Sequence, residues 1–119
     1  MIKFALVEDA LEMHEVVVKL IENTMNSMNV EWSCRCFDSS ETFISDSEIA
    51  SFDILLIDIE LPKMNGIELA EWVRMNTTGN SIIFLTSYVH YMKDAFGLNV
   101  HSYVLKEHMS QELPCLIKE

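Results

Sequence analysis

Glycine and proline, the residues that punctuate most loops, number only three and two in this 119-residue chain. Three glycines are too few for a phosphate-cradling loop, and no GxGxxG occurs, which argues against a phosphate-loop or dinucleotide-binding enzyme. Positive charge is equally scarce: 8 Lys and Arg face 19 Asp and Glu, for a formal net charge of -11. That excess repels a phosphate backbone, so proteins and cations are the expected partners of this segment, not nucleic acid. The three cysteines, Cys34, Cys36 and Cys115, are too few and too oddly numbered for a disulfide framework. Cys34 and Cys36 alternate with Ser33 and Arg35 and read as two small apolar residues on one face of a strand, since no further Cys or His nearby completes a ligand set. His14, His90, His101 and His108 lack metal-ligand spacing, and the eight methionines read as core filler. No apolar run approaches the ~18 residues of a membrane span. The start, Met1-Ile2-Lys3-Phe4, lacks the long apolar region of a secretory signal, so a soluble cytoplasmic protein without a membrane partner is expected.

What the chain does have is a hydrophobic half, enough for one core and too little length for two. Five short apolar runs recur: IKFALV at 2–7, VEWSCRCF at 30–37, DILLI at 53–57, SIIFL at 81–85 and HSYVL at 101–105. The segments between them keep helical spacing. Met13, Val16, Val17, Leu20 and Thr24 mark a first helix. A weaker second helix spans 39–49, with Ser39 or Ser40 as N-cap and Phe43, Ile44 and Ile49 as apolar contacts. Gly66 opens a third helix carrying Ile67, Leu69, Ala70 and Val73; a fourth runs from about Tyr88 to Phe96, and a fifth begins near Ser110. Strands alternating with helices predict an α/β domain with a mostly parallel sheet. The continuous apolar character of runs one, three and four marks strands covered on both faces, whereas run two alternates and suits an edge. Right-handed crossovers with strand two at an edge predict the flavodoxin-like order 2-1-3-4-5, a doubly wound (βα)5 domain over residues 1–119.

Reading each run to its carboxyl end brings chemistry together. The first ends in Glu8-Asp9, the third in Asp58, the fourth in Thr86-Ser87 and the fifth in Lys106. In an open parallel sheet these ends share one edge, where ligands bind at the point of strand-order reversal. Two carboxylates about 4 Å apart repel by ~4 kcal/mol at an effective dielectric of about 20, so three need a proton or a cation between them. A few oxygen ligands with room for water suit Mg2+ better than zinc or a fully caged calcium. A carboxylate can also attack phosphorus, with a cation and a lysine stabilising the charge on the transferring group. The cluster therefore reads as a phosphoryl-acceptor site.

Taken jointly, VED, LLIDIELPKMNG, FLTS and YVLK resemble the receiver domain of bacterial two-component response regulators, over nearly all of the chain, from Ile2 to Lys106. The stretch IIFLTSYVHYMKDAFGLNVHSYVLK looks most like receivers attached to LytTR-type DNA-binding domains. The resemblance implies a CheY-like fold and a regulatory switch rather than a turnover enzyme, one that assists its own phosphorylation and dephosphorylation. It implies that Asp58 is phosphorylated by a sensor histidine kinase. Asp9, Asp58 and the backbone carbonyl of Glu60 would hold Mg2+ directly, with Glu8 acting through water. Lys106 would pair with the phosphoryl oxygens or, before transfer, with Asp58. Thr86 would donate its hydroxyl to the phosphoryl group, helped by the amides of Glu60 and Ser87, and its movement would let Tyr103 turn. That turn would reshape the surface of the fourth predicted helix, strand five and the fifth predicted helix to control homodimerisation or an attached output domain in transcription regulation. Tyr88 and Glu60 would tune hydrolysis of the acyl phosphate.

Two features depart from the family pattern. Glu107 follows Lys106 where the family usually has a proline with a cis bond; a non-proline cis bond costs about 3 kcal/mol, so a trans bond is expected here. The few residues after Ser110, with Pro114 among them, predict a short last helix and a chain cut before an output domain, so DNA would be reached only through that missing part. Glu8 and Asp9 also qualify as N-caps of the first helix. Glu107 keeps open a receiver that works as an interaction module without phosphorylation. An aspartyl phosphatase is the remaining alternative: DIELPK offers Glu60 two residues after Asp58 but no Thr-Gly-like turn.

Overall fold

The computed structural model describes residues 1–46, 48–87 and 101–118. Its strands are β1 (Ile2–Val7), β2 (Trp32–Phe37), β3 (Ile54–Asp58), β4 (Ser81–Thr86) and β5 (Ser102–Leu105). All pair in parallel in the order β2-β1-β3-β4-β5, the order predicted from the apolar runs. The helices are α1 (Leu11–Met28), α2 (Ser40–Ile44), α3 (Gly66–Asn76) and α4 (Met109–Lys118); α4 is the fifth helix of the sequence pattern. The helix predicted from about Tyr88 to Phe96 lies outside the described residues.

Side-chain alternation along the strands divides the core into two layers. On one face Phe4, Leu6, Leu56, Ile83, Leu85 and Val104 meet Val17, Ile21 and Met25 of α1 and Met109, Leu113 and Ile117 of α4. On the other, Val7, Leu55, Ile57 and Phe84 meet Phe37, Phe43 and Phe52 and the Leu69, Ala70 and Val73 stripe of α3. β1, β3 and β4 are thus covered twice, which is why their sequences are nearly unbroken in apolar character.

Several local expectations change. The buried stripe of α1 is Val17, Ile21, Thr24 and Met25, while Val16 is 45% exposed, because α1 turns its 17-21-24-25 row towards both the sheet and α4. Neither Glu8 nor Asp9 caps α1: Ala10 holds the N-cap position without a side-chain bond. The second helix is one short turn that starts behind the Ser39 cap and stops at Ser45, and the chain then closes through a 3-10 turn at Ile49–Ser51. β2 starts at Trp32 instead of Val30, because the Val30 amide is spent on the Met25 carbonyl where α1 ends in a left-handed Asn29. Cys34 is only half-buried and Cys36 is exposed, so this end of β2 is not an apolar face. Met25 and Met109 fill the core as expected, but Met75 is exposed. α4 runs through Pro114 to Lys118, since Met109, Leu113 and Ile117 recur every four residues and their burial outweighs one missing backbone bond.

The segment after β3 is held by its own chemistry. Asn65 caps α3 in a reciprocal capping box with Glu68, at 2.9 and 3.0 Å. Gly66 then donates its amide to the Ile59 carbonyl at 2.8 Å, bringing α3 hard against the end of β3. A Cβ at position 66 would lie 2.3 Å from the Asp58 carbonyl oxygen and 2.7 Å from the Ile59 Cα, both backbone atoms. Gly66→Ala is expected to lower stability by about 3 kcal/mol through overpacking against backbone that cannot yield. A urea midpoint for this variant equal to that of the native chain would show that the approach is looser than described.

Candidate functional site

Parallel register delivers the polar strand ends to a single crevice. Val7 pairs with Ile57, so the next residues, Glu8 and Asp58, leave β1 and β3 side by side. The Glu8 amide is tied to the Phe37 carbonyl at 2.9 Å and the Ile59 amide to the Leu85 carbonyl at 3.3 Å, which fixes both exits against their neighbours. Glu8 is 1% exposed and Asp58 3%, whereas Asp9 is exposed at the mouth. One carboxylate oxygen from each of Glu8, Asp9 and Asp58 lies within 4.8 Å of the others.

Lys106, delivered by the end of β5, reaches over this group. Its ammonium lies 2.7 Å from Glu8 Oε1 and 3.2 Å from Asp58 Oδ2. The other oxygen of each buried carboxylate takes a backbone donor: Ala10 N–H to Glu8 Oε2 at 3.2 Å and Glu60 N–H to Asp58 Oδ1 at 3.1 Å. Each oxygen retains a second lone pair for a further partner. Three carboxylates against one ammonium leave two negative charges in excess, the charge of one divalent cation. Hard oxygen donors, with Asp9 open to water, match the needs of Mg2+, so the residues present fit that ion.

The remaining sequence-predicted residues are spread around this centre. Thr86 is fully buried at the end of β4, one position past the Leu85 that pairs with Asp58. Ser87 follows in an exposed bend, and Glu60 is exposed beside Asp58. Tyr103 is half-buried on β5, edge-on to Phe84 with ring centroids 6.3 Å apart. Tyr88 lies outside the described residues. No cis peptide bond occurs among the described residues, and Lys106 to His108 form a 3-10 turn with the Glu107 side chain 72% exposed. Lys106 therefore enters the site without the proline, and Glu107 faces solvent.

Two contacts were not legible in the residue pattern. The shortest partner of Lys106 is Glu8 instead of Asp58, because the glutamate has one methylene more than an aspartate and spans the gap from β1. His14, to which spacing assigned no chemistry, holds its Nε2 2.6 Å from the Glu8 carbonyl oxygen and so ties the first turn of α1 to the acidic loop. Its place one turn into the helix that follows the acidic pair was the available signal.

Charge and burial set the protonation of the cluster. Burial alone would lower the Lys106 pKa, but the hydrogen bond it donates to Glu8 and the charges of Asp58 and Glu8 outweigh it and raise the value overall. Asp9 is raised as well, first by partial desolvation, then by its hydrogen bond to Glu8 and the charge of that carboxylate, against which Lys106 acts more weakly. A raised carboxyl pKa means that the folded chain keeps its proton to higher pH than the unfolded chain, so the ionised form above that range is a standing cost to stability. Asp9→Asn should therefore stabilise the metal-free protein at pH 7, by up to about 1 kcal/mol at so open a position, and the gain should vanish below the ordinary Asp value of 3.8. Thermal melts across pH measure it; a loss of stability at pH 7 would contradict the cost assigned to the partly buried carboxylate beside Glu8. Lys106→Met leaves Glu8 and Asp58 facing each other unpaired and should cost about 3 kcal/mol in urea unfolding at neutral pH. A neutral result would mean that water already compensates the pair.

Comparison with known proteins identifies the family and the fold. NatR, a transcriptional regulatory protein of Bacillus subtilis, is 33% identical over 116 residues, which cover 95% of this chain and 47% of NatR. LytR of Staphylococcus aureus, also a transcriptional regulatory protein, is 38% identical over 58 residues, 49% of this chain and 24% of LytR, in keeping with the LytTR-type resemblance. The chain spans about half the length of NatR. Among solved structures, the response regulatory domain of mrkE from Klebsiella pneumoniae superposes with a TM-score of 0.85 at 20% identity, covering 98% of this chain and 93% of that one. The response regulator TrrA of Thermotoga maritima, solved in complex with Mg(2+)-BeF, gives 0.84 at 24% identity over 99% and 97% of the two chains. These two share the fold. Residues 4–118 match the family model of the response regulator receiver domain, and the chain belongs to that family of two-component signalling domains.

Proposed function

We propose that this receiver domain accepts a phosphoryl group on Asp58 from a sensor histidine kinase in a Mg2+-dependent reaction. The observation that carries the reading is the company of one buried carboxylate: Lys106 at 3.2 Å, and Glu8 and Asp9 within 4.8 Å, all at the carboxyl edge of the sheet. Asp9, Asp58 and the Glu60 carbonyl would hold Mg2+, with Glu8 behind them. The ion, when bound, offsets the charge of the transferring oxygens.

The chain's own groups do the rest. An Asp58 oxygen forms the new P–O bond as the P–N bond to the kinase imidazole breaks, and the imidazole leaves with its electron pair. Lys106 turns its ammonium from Asp58 to the phosphoryl oxygens, keeping Glu8 as its second anchor. The Glu60 amide is already directed at Asp58 Oδ1, and the Ser87 amide and the Thr86 hydroxyl would be drawn to the phosphoryl oxygens. A donor already in place beside the acceptor, as the Glu60 amide is, acts without reorganisation at the moment of transfer. Hydrolysis of the acyl phosphate, tuned by Glu60 and Tyr88, resets the switch, so the domain is a phosphoacceptor and not a turnover enzyme.

Withdrawal of Thr86 towards the phosphoryl group opens room for Tyr103, which now packs edge-on to Phe84. Tyr103 also lines a groove of about 380 Å3 between β5 and α4 with Glu112 and Cys115, the surface through which a homodimer or an output domain would sense the state. Transcription regulation through a DNA-binding output segment is supported by the names of NatR and LytR and by the half-length match. The proposed kinase partner gives the domain a cytoplasmic setting; among the described residues no helix is long and apolar enough to cross a membrane. The placement of Lys106 among the carboxylates despite Glu107 favours phosphorylation over a phosphate-independent interaction module.

Incubation with acetyl phosphate and Mg2+ should add one phosphoryl group by intact mass, and beryllofluoride should change Trp72 fluorescence. Both effects should disappear in Asp58→Asn and on chelation of Mg2+. Modification that persists in Asp58→Asn, or a native chain inert to every donor, would overturn the assignment.

A further inference from the structure

α1 begins without a capping side chain: Ala10 holds the N-cap position, so other contacts set the path by which the acidic loop enters the helix. The backbone supplies two of them. The Met13 amide donates to the Ala10 carbonyl at 3.1 Å, and the Ala10 amide turns back to Glu8 Oε2 at 3.2 Å. A third comes from a side chain, since His14 Nε2 lies 2.6 Å from the backbone carbonyl oxygen of Glu8. A carbonyl oxygen only accepts, so Nε2 carries the proton of this bond.

Both ends of this bond are held. His14 is half-buried and precedes Val17 by three residues and Ile21 by seven, which places it on the side of α1 that packs against the sheet and α4. A planar ring rooted in a packed helix has little rotational freedom left to lose. On the acceptor side, the Glu8 amide is fixed to the Phe37 carbonyl at 2.9 Å. Bonding the Glu8 carbonyl then orients the planar peptide unit that joins Glu8 to Asp9, and with it the direction from which the Asp9 side chain leaves the backbone. Asp9 is the ligand candidate that needs such guidance. It is exposed, yet one of its oxygens lies within 4.8 Å of an oxygen of Glu8 and of one of Asp58. Like charges this close push an exposed carboxylate out into water, whereas a cation binds best to ligands that are already gathered.

We infer that His14 is a positioning residue for cation binding: through the Glu8 carbonyl it presets Asp9 beside Asp58, so that Mg2+ meets a gathered set of ligands. The inference rests on the reading of Glu8, Asp9 and Asp58 as the Mg2+ site, and it adds a residue from α1 whose contact is with backbone and not with a carboxylate. His14 therefore acts on where the ligands stand. An outer partner of this kind restrains the ligand through a hydrogen bond and leaves the ion's own coordination to the carboxylates.

The test is a Mg2+ titration of the intact chain followed by the backbone amide NMR shifts of Glu8, Asp9 and Ala10, with an imidazole 15N spectrum of the metal-free native protein. That spectrum should show the proton on Nε2 of His14. His14→Leu keeps the bulk but cannot donate, and should weaken Mg2+ affinity by about tenfold, the low end for a partner outside the ligand set. His14→Gln offers a side-chain N–H at similar reach and should restore the native affinity. Circular dichroism confirms that both variants are folded. A purely structural role would lower the urea midpoint of His14→Leu and leave its Mg2+ affinity at the native value. Equal Mg2+ affinity in the native chain and folded His14→Leu, no recovery in folded His14→Gln, or an Nε2 without a proton would overturn this inference alone. Native amides that do not respond to Mg2+ would overturn the Mg2+ reading of the site and this inference with it.

Discussion

The Lys106 ammonium, shared between Glu8 and Asp58, ties together the ends of three strands that are far apart in sequence. Each attraction is worth about 5 kcal/mol in gross terms at an effective dielectric of about 20. Withdrawing the charges from water costs several kcal/mol per ion, so the net contribution to stability is small. What the contact does is arrange. It holds one cation within reach of two buried anions, and it leaves the three carboxylates of the crevice with more negative charge than the ammonium offsets.

The rest of the fold keeps that arrangement in place. Buried β1 and β3 carry Glu8 and Asp58 to their ends as rigid exits, and the close approach at Gly66 seats α3 directly behind the Asp58 carbonyl. His14 secures the acidic loop from α1, and the Ala10 and Glu60 amides occupy the carboxylate oxygens that Lys106 does not. The raised Asp9 pKa, caused first by partial burial and then by the neighbouring Glu8 carboxylate, is the counterpart of this order: a cluster that could hold a metal ion carries unbalanced charge without one. Stability and readiness to bind therefore oppose one another at the same residue.

β2 shows how the edge of the same sheet obeys different constraints. With a single neighbour and incomplete cover, it exposes Cys36 and half-exposes Cys34, while Arg35 on the opposite face lies over Phe37 and pairs with Asp46 at 2.7 Å. The alternation of β2 suggested two small apolar residues on one face, but a small apolar residue needs cover, which the edge supplies to Cys34 only in part and not to Cys36.

The apolar runs, read with the rule of right-handed crossovers, pointed to the parallel sheet and its order, since continuous and alternating patterns report which strands are covered on both faces. The polar residues Glu8, Asp9, Asp58, Thr86 and Lys106 were equally legible, because the ends of parallel strands must share an edge. Other features depended on tertiary structure. The α1 face turned towards Val17 and Ile21 because α4 packs beside it, and helical periodicity alone cannot place a neighbour. The pairing of Lys106 with Glu8 before Asp58 depended on the reach of one methylene across two strands. Local sequence specifies which groups arrive at an edge; the distances between them are set by packing among segments that the chain keeps dozens of residues apart.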